Sequence, residues 1–357
     1  MKNTMNSQIS AVHYCLPSER LTNEDLAKRF GEKTVASISR MSGIVERRVA
    51  RPGVTAADLA VCAAERLLQE KKIERDKIDL LVFASQTPDY QIPATSCIIH
   101  NRLRLRQSCA SFDINLGCSA YPYTLAVAHG LLVSGAARTA LVLNADTISH
   151  VLHPGDRSLV TLHGDAAAAT LLESTNEPDV GFVGFHFGTD GAGAKHILIP
   201  ASGTRSPRGE VDAVETTDDN GNISSPHHLQ MNGAAVFHFS LYKVPVVIRE
   251  ALDKYRLRID DLDLVLLHQA NRTMDDMIYK ALKVPLEKQF YFIEKVGNAA
   301  GASTPMLLAE AWRQGRLRPG SKCLIAAFGN GLSWGITIIQ WPGVLGQAVQ
   351  AAVDYIE

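Results

Sequence analysis

The chain has 357 residues, of which 46% are hydrophobic and 20% charged, as is ordinary for a globular protein with room for two domains. Its formal net charge of -1 gives no indication of nucleic acid or an anionic membrane as the main partner, and no stretch reaches the ~18 apolar residues of a membrane span. The six cysteines include no CxxC pair, which argues against a zinc ribbon or a disulfide scaffold and is typical of a reducing compartment. We therefore expect a cytoplasmic protein without a metal site.

Strand and helix patterns alternate along the N-terminal half. Residues 8–16 alternate as a first strand, a helix is expected to begin at Asn23, and a capping box at Thr55 opens another helix. Continuous apolar runs then predict buried strands, and helical spacing predicts two more helices. The strands are expected at residues 78–85, 111–116, 139–146 and 166–173, and the helices at 96–103 and from Ser119.

The C-terminal half repeats this theme. A long helix is expected over residues 236–255, a buried strand over 263–270 and a helix over 271–282. Two further strands, at 323–328 and 334–341, are joined by a Gly-rich turn. Strands that alternate with helices in both halves predict largely parallel sheets with helices packed against them.

Two polar stretches mark the organisation of the chain. Residues 173–179, which include Pro178, predict a boundary between an N-terminal half of 1–175 and a C-terminal half of 176–357. Residues 201–228 are polar, rich in Gly and Ser and almost free of apolar residues. They predict either a solvated loop or a functional element, such as a mobile lid or a subunit contact.

Cys118 lies where a predicted strand passes into a predicted helix, after the sharp turn at Gly117. Such a turn holds a side chain rigidly, and the helix N-terminus offers free N–H groups and partial positive charge. That charge would lower the pKa of the thiol and make Cys118 a nucleophile at neutral pH. The alternative is a buried cysteine that serves only as a small hydrophobic residue.

Three further places combine a structural and a chemical interpretation. His268 ends the strand in DLVLLHQAN and is either a structural histidine or a catalytic one. Asn298, within VGNAAGASTP, either caps a helix or donates a hydrogen bond to developing negative charge. The Gly-Asn-Gly turn in AFGNGLSWG either closes a hairpin or supplies a backbone N–H to an oxyanion hole together with that of Cys118.

Together these motifs resemble the 3-oxoacyl-(acyl-carrier-protein) synthase III family of the thiolase superfamily. The resemblance runs from about Ile9 to Gln340, with the Cys118 turn followed in order by DRSLVTLHGDAAA, HQANRTM, GNAAGAST and AFGNGLSWG. It implies an α/β thiolase-like fold of two pseudo-duplicated halves in five α-β-α-β-α layers, usually as a homodimer. The N-terminal half would carry the nucleophile, and the C-terminal half His268 and Asn298.

The resemblance also implies residue roles. Cys118 would take an acyl group as a thioester, while His268 and Asn298 would bind a malonyl thioester and stabilise the enolate formed as carbon dioxide leaves. The backbone of Cys118, Gly329, Asn330 and Gly331 would form the oxyanion hole. No permanently bound cofactor is implied: acyl-CoA or an acyl-carrier protein and malonyl-carrier protein are substrates. The residues that would contact the substrate or carrier are Tyr121, Arg157, His163 and Arg272.

Several positions depart from the family's usual pattern. GCSAYPY replaces ACSGF or ACAGF, which would place Tyr121, Pro122 and Tyr123 near the acyl pocket. Ser37 and Met41 stand approximately where a Trp and an Arg usually clamp the coenzyme A nucleotide. His163 replaces a usual Phe, and the 201–228 loop is longer than common. These departures favour a specialised branch, in a secondary-metabolite or surface-polysaccharide pathway, and a carrier-bound donor that meets Arg205, Arg208 or Arg272.

Two other functions remain open from the sequence. An acyltransferase of the same fold would use Cys118 but pass the acyl group to an alcohol or amine. An inactive partner subunit of a synthase pair usually lacks the nucleophile. The presence of Cys118, His268 and Asn298 together favours condensation over both.

Overall fold

The structure is a computed structural model that describes residues 5–177, 179–342 and 353–356. Its elements are numbered in chain order. The strands are β1 (Asn6–Pro17), β2 (Arg20–Thr22), β3 (Glu46–Arg48), β4 (Leu80–Ala84), β5 (Ala110–Ile114), β6 (Thr139–Asp146), β7 (Ala166–Thr175), β8 (Gly181–Thr189), β9 (Ile197–Leu198), β10 (Thr216–Thr217), β11 (Ile223–Ser224), β12 (Gln230–Met231), β13 (Leu264–Leu267), β14 (Lys322–Gly329), β15 (Ser333–Gln340) and β16 (Val353–Ile356). The α-helices are α1 (Asn23–Phe30), α2 (Glu32–Ser42), α3 (Ala56–Lys71), α4 (Thr95–Arg102), α5 (Ala120–Val133), α6 (Arg157–Val160), α7 (Gly233–Tyr242), α8 (Val244–Lys254), α9 (Arg272–Leu282) and α10 (Ser303–Arg313).

The larger sheet has the strand order β16-β1-β7-β6-β4-β5. β4 is parallel to β5 and β6, and β16 is parallel to β1, but β7 is antiparallel to both β6 and β1. The expectation of a largely parallel sheet is therefore wrong at its centre. Because residues 147–165 stay at the strand ends and do not cross a face of the sheet, β7 returns beside β6 in the opposite direction.

The second sheet has the order β13-β14-β15-β8 and is also mixed. β13 and β14 are parallel, whereas β15 is antiparallel to β14 and β8. The tight turn after Gly329 joins β14 directly to β15, and a connection this short permits only an antiparallel pair. β8 was not predicted from the sequence, although the alternation of Phe185, His186 and Phe187 is a strand signal.

The helices form three layers around the two sheets. α3 and α4 cover the outer face of the larger sheet, and α7, α8 and α9 lie on the outer side of the second. α5 and α10 contact both sheets and fill the space between them. α10 is buried at every position from Ser303 to Ala311, as expected for a helix that is enclosed on all sides. The result is the predicted sequence of five layers, α-β-α-β-α.

The predicted helix over residues 236–255 is wrong in one respect, because it divides into α7 and α8 at Lys243. Pro245, in the first turn of α8, has no N–H to donate and its ring would clash with the carbonyl group four residues earlier. Proline is tolerated in the first turn of a helix, so a new helix begins there. The capping box at Thr55 is confirmed: its side chain accepts from the Asp58 N–H, and the Asp58 carboxylate accepts from the Thr55 N–H.

The division into halves of 1–175 and 176–357 stays a prediction. Pro178, within the proposed boundary, lies outside the described residues. β7 belongs to the larger sheet and β8 to the second, but β16, near the C-terminus, returns to pair with β1 in the larger sheet. In the described residues, no helix combines the length and apolar character needed to cross a membrane.

Candidate active site

A cavity of about 720 Å³ lies where the ends of β13 and β14 face the turn between β5 and α5. Cys118, His163, His268 and Asn298 all contribute to its wall. Most of the remaining wall is apolar and includes side chains from α2, from residues 197–199 and from α7. A few polar groups that converge in a largely apolar cavity are typical of a site for a small organic substrate.

Cys118 lies between the last residue of β5, Ile114, and the first residue of α5, Ala120, as predicted. The preceding Gly117 packs closely on Gln86, whose side-chain oxygen would have to move to admit a Cβ atom there. The Ala120 N–H donates to the Gly117 carbonyl oxygen over 2.8 Å, which closes the turn. The turn therefore fixes Cys118 at the cavity wall.

The turn between β14 and β15 packs directly against this cysteine. A Cβ atom on Gly329 would lie 3.1 Å from Sγ of Cys118. The side-chain hydroxyl groups of Ser119 and Ser333 lie 2.7 Å apart and link the two turns. Gly329 and Asn330 line the cavity, whereas Gly331 is not part of its wall. The oxyanion-hole role of the Cys118, Gly329, Asn330 and Gly331 backbone stays a prediction.

Asn298 presents its amide hydrogens to the cavity. Its side-chain oxygen accepts a hydrogen bond from the Ala300 N–H over 3.0 Å, so the NH₂ group occupies the other side of the amide. The backbone is held by two bonds: the Asn298 N–H donates to the Leu162 carbonyl oxygen, and the Gly164 N–H donates to that of Asn298. Asn298 is thus a preorganised donor and is not the N-cap of α10, which is Ala302.

His268 follows β13 and is 1% exposed. Neither of its ring nitrogens has a hydrogen-bond partner among the described residues, and its ring lies edge-on to Phe328. Burial, followed by the proximity of His163, lowers the pKa of His268 to about 3. The imidazole is therefore neutral at physiological pH and has one N–H available for a ligand in the cavity.

The predicted low pKa of the Cys118 thiol is wrong. Burial, followed by the negative charge of Asp146, raises the pKa of Cys118 to about 12. Charge at a helix N-terminus is typically worth 0.3–1 kcal/mol, which is less than one pKa unit. Because Cys118 faces an apolar cavity and not bulk water, burial outweighs the influence of α5, and the resting group is the neutral thiol.

Asp146, the last residue of β6, was not predicted from the sequence and is fully buried behind the nucleophile turn. Its carboxylate accepts hydrogen bonds from the Gln86 N–H over 2.7 Å and from the Gly301 N–H over 3.1 Å. Burial raises the pKa of Asp146 to about 7. An acidic residue at the end of an otherwise apolar strand, TALVLNAD, is the signal that could have identified it.

The residues after the nucleophile lie away from the cavity. The Tyr121 side chain is fully buried in the larger core, and its hydroxyl lies 3.2 Å from that of Thr170. Tyr123 packs on Phe187, with ring centroids 4.4 Å apart. Tyr121 and Pro122 are buried, Tyr123 is half-buried, and none of the three lines the cavity. The expectation that Tyr121, Pro122 and Tyr123 crowd the acyl pocket is therefore wrong.

The other predicted contact residues fall in different places. His163 lines the cavity, whereas Arg157 and Arg272 do not, although their neighbours Ser158, Asn271 and Thr273 do. The guanidinium of Arg272 is 3.5 Å from the centroid of the Tyr291 ring, and its Nε donates to Asp276 over 2.9 Å. Arg272 is thus already engaged within the protein. A contact of Arg157 or Arg272 with substrate or carrier stays a prediction.

The 201–228 segment reaches the cavity at Ser202 and makes backbone hydrogen bonds to its neighbours. It contains the β10–β11 pair, and the Ile223 N–H donates to the carbonyl oxygen of Gly155. His153 is 3.0 Å from the carboxylate of Glu215 within this segment. At the opposite rim, Met41 lines the cavity, but Ser37 does not.

Two family models match the chain. Residues 112–191 match 3-oxoacyl-[acyl-carrier-protein] synthase III, and residues 252–341 match the C-terminal model of the same family. A Streptomyces coelicolor protein described as beta-ketoacyl-[acyl-carrier-protein] synthase III 3 is 36% identical over 342 residues, covering 96% of this chain and 99% of the relative.

Solved structures of proteins from the same family share the fold of this chain. A crystal structure of 3-oxoacyl-(acyl-carrier-protein) synthase III has a TM-score of 0.91 and 37% identity, and covers 94% of this chain and 100% of its own. The priming beta-ketosynthase of the R1128 polyketide pathway has a TM-score of 0.82 and 28% identity, with 94% and 96% of the two chains covered. The predicted thiolase-like fold is confirmed, and the chain belongs to the 3-oxoacyl-(acyl-carrier-protein) synthase III family of condensing acyltransferases.

Proposed function

We propose that this chain catalyses the decarboxylative condensation of an acyl group, held as a thioester on Cys118, with a malonyl thioester to give a 3-oxoacyl thioester. The observation that carries the proposal is the convergence of three groups in one cavity: the Cys118 thiol, the neutral His268 imidazole and the outward-facing amide of Asn298. Family membership supports the same reaction.

In the first half-reaction, Sγ of Cys118 attacks the carbonyl carbon of the acyl donor. A new carbon–sulfur bond forms, the bond to the donor thiol breaks, and the proton of Cys118 passes to the departing sulfur. Because burial keeps the resting group a thiol, loss of its proton accompanies the attack. The N–H groups of Cys118 and of the turn from Gly329 would hold the oxyanion.

In the second half-reaction, the malonyl carbon–carboxylate bond breaks and its electron pair moves into a thioester enolate. One N–H of His268 and the Asn298 NH₂ group donate hydrogen bonds to the enolate oxygen, where negative charge develops. The enolate carbon attacks the acyl carbonyl on Cys118. Collapse of the tetrahedral intermediate breaks the carbon–sulfur bond to Cys118 and releases the 3-oxoacyl thioester, and the Cys118 thiolate takes a proton from water.

The partners follow from the same proposal. The malonyl unit arrives on an acyl carrier protein, and the acyl unit on a carrier protein or on coenzyme A, with no permanently bound cofactor. We also propose a homodimer, as the resemblance to the family implies, which light scattering would test. We also propose a cytoplasmic location. The likeness to a priming polyketide ketosynthase supports a role in fatty-acid or polyketide synthesis.

Intact-protein mass spectrometry after incubation with a panel of acyl thioesters tests the first half-reaction. The acyl mass should appear on the wild type and be absent from a folded Cys118→Ala variant. Radiolabelled malonyl-carrier then tests the second, through release of carbon dioxide and formation of the 3-oxoacyl product. Acylation without decarboxylation, with transfer to an alcohol or amine, would replace condensation by the acyltransferase function. An absence of both reactions would favour an inactive partner subunit.

A further inference from the structure

His163 carries a ring in the cavity wall that is fixed by its own backbone environment. It follows α6, and its N–H donates to the Leu159 carbonyl oxygen over 3.0 Å. Residues 162–164 are bound to Asn298 through the two backbone hydrogen bonds described above. The residue is 8% exposed and shares the cavity with Cys118, His268 and Asn298. Its position relative to the reacting groups is therefore set by the fold.

The hydrogen bonding of this ring determines what it offers to a ligand. Nδ1 lies 3.1 Å from the Leu159 carbonyl oxygen, which can only accept, so Nδ1 carries a hydrogen and donates it. Burial lowers the pKa of His163, which keeps the ring neutral. Nε2 of a neutral ring protonated at Nδ1 is a lone-pair acceptor, and it has no partner among the described residues.

Because Nε2 of His163 accepts a hydrogen bond, it distinguishes substrates by the chemical group that they place beside it. When an alkyl group displaces water from the cavity, Nε2 loses its hydrogen-bonding partner and is left unpaired. When the substrate places a hydroxyl group there, the hydrogen bond to Nε2 replaces the one lost to water. The side chains that α7 and residues 197–199 contribute to the same wall are mostly apolar.

We propose that His163 makes the cavity select acyl thioesters that carry a hydroxyl group on carbon 2 or 3 of the acyl chain. The proposal rests on the condensation described above and names its acyl substrate class. The hydroxyl must be close to the thioester because His163 lies in the same wall as His268 and Asn298, and its neighbours Leu162 and Gly164 hydrogen-bond to the backbone of Asn298. A phenylalanine side chain in this place would offer no acceptor.

The test compares butyryl, 2-hydroxybutyryl and 3-hydroxybutyryl thioesters as acyl donors for condensation with malonyl-carrier. For the wild type, we expect kcat/KM for at least one hydroxy compound to exceed that for butyryl by about ten- to hundredfold. In His163→Phe, this preference should vanish or reverse, with faster use of butyryl. His163→Gln places a side-chain oxygen near the position of Nε2 and should restore part of the preference.

Two results would overturn the proposal: a wild type that uses butyryl as well as both hydroxy compounds, or the same preference in wild type and His163→Phe. Rates of acyl-adduct formation, followed by intact mass, are measured beside condensation. If no variant condenses but adducts form with the hydroxy preference, the proposed condensation fails and the role of His163 stands. Should His163→Phe not fold, the wild-type ratio and His163→Gln still decide the question.

Discussion

A Cβ atom added to Gly329 would lie 2.5 Å from the Cβ atom of Cys118, closer than two such atoms can approach. The end of β14, which belongs to the second sheet, is therefore packed directly on the nucleophile, which follows β5 of the larger sheet. Gly329→Ala should displace Cys118 from its position and reduce acyl-adduct formation at least a hundredfold, since misplacement by about 1 Å can cost ~100-fold. Intact mass after timed incubation with an acyl thioester measures this rate.

Gly130→Ala is the matched control for this substitution. Gly130 lies within α5 and has no atom within 4 Å of the position of an added Cβ. Alanine should stabilise the helix there by about 0.5–1 kcal/mol and leave acylation unchanged. If Gly329→Ala acylates as fast as Gly130→Ala, the contact between the two turns does not position the nucleophile.

Alkylation of Cys118 should depend steeply on pH. Because the pKa of the thiol is raised to about 12, the thiolate fraction, and with it the rate of reaction with iodoacetamide, should rise about tenfold per pH unit from neutral pH upward. Peptide mapping of the free enzyme should find exposed Cys97 labelled before Cys118 at neutral pH. A Cys118 rate that levels off near pH 8 would contradict the raised pKa and restore the expectation from the sequence.

The sequence predicts a lowered pKa for Cys118, whereas the structure gives a raised one, and the reason for this difference is physical. The turn position of Cys118 follows from local patterns of apolar residues and glycine, and those patterns also predict the ends of β13 and β14. The pKa depends first on burial and then on Asp146, which is remote in sequence and is brought behind the turn by the pairing of β4 with β6. Long-range charge and burial of this kind leave no local pattern.

The same limit applies to side-chain direction. That residues 120–133 form a helix follows from their spacing, but that α5 lies between two sheets does not. For this reason Tyr121 could be placed on a helix from the sequence but was assigned to the cavity, whereas it lies in the core. Similarly, the antiparallel direction of β7 depends on the path of the preceding loop, which is not encoded in the apolar pattern of the strand.

Removal of either enolate donor should separate the two half-reactions. Asn298→Ala loses a preorganised NH₂ group and should slow carbon dioxide release from malonyl-carrier by ~100- to 1000-fold, while acylation of Cys118 persists. His268→Ala should behave similarly. Both rates are obtained from one preparation, by radiolabelled carbon dioxide and by intact mass. Equal loss of acylation and decarboxylation in Asn298→Ala would contradict a role confined to the enolate.

The backbone that holds Asn298 should not tolerate a side chain at Gly164. A Cβ atom there would overlap the Val296 carbonyl oxygen, and backbone cannot move aside as cheaply as a flexible side chain. Gly164→Ala should lower the free energy of unfolding by about 1–3 kcal/mol and slow decarboxylation more than acylation. Chemical denaturation and the two rate assays measure this, again beside Gly130→Ala. Unchanged stability would show that the 162–164 and 296–298 segments can separate without cost.

The last prediction concerns the acyl donor. Met41 stands at the cavity rim in the approximate place of a family residue that clamps the coenzyme A nucleotide, and Arg272 is engaged by Tyr291 and Asp276. If the resemblance is right that a coenzyme A-clamping residue would stand in the place of Met41, acyl-carrier should be a better donor than the corresponding acyl-CoA. Exposed Arg205, in the 201–228 segment beside the cavity, would attract an acidic carrier. Arg205→Glu should lower kcat/KM for acyl-carrier about two- to fivefold, and less so in ~1 M salt, where charges are screened beyond ~3 Å. Arg104→Glu is the control, since Arg104 is also exposed but lies before the amino end of β5, remote from the cavity. If Arg205→Glu and Arg104→Glu have equal effects on kcat/KM, Arg205 does not contact the carrier. A wild type that prefers acyl-CoA would contradict the expected preference for the carrier-bound donor.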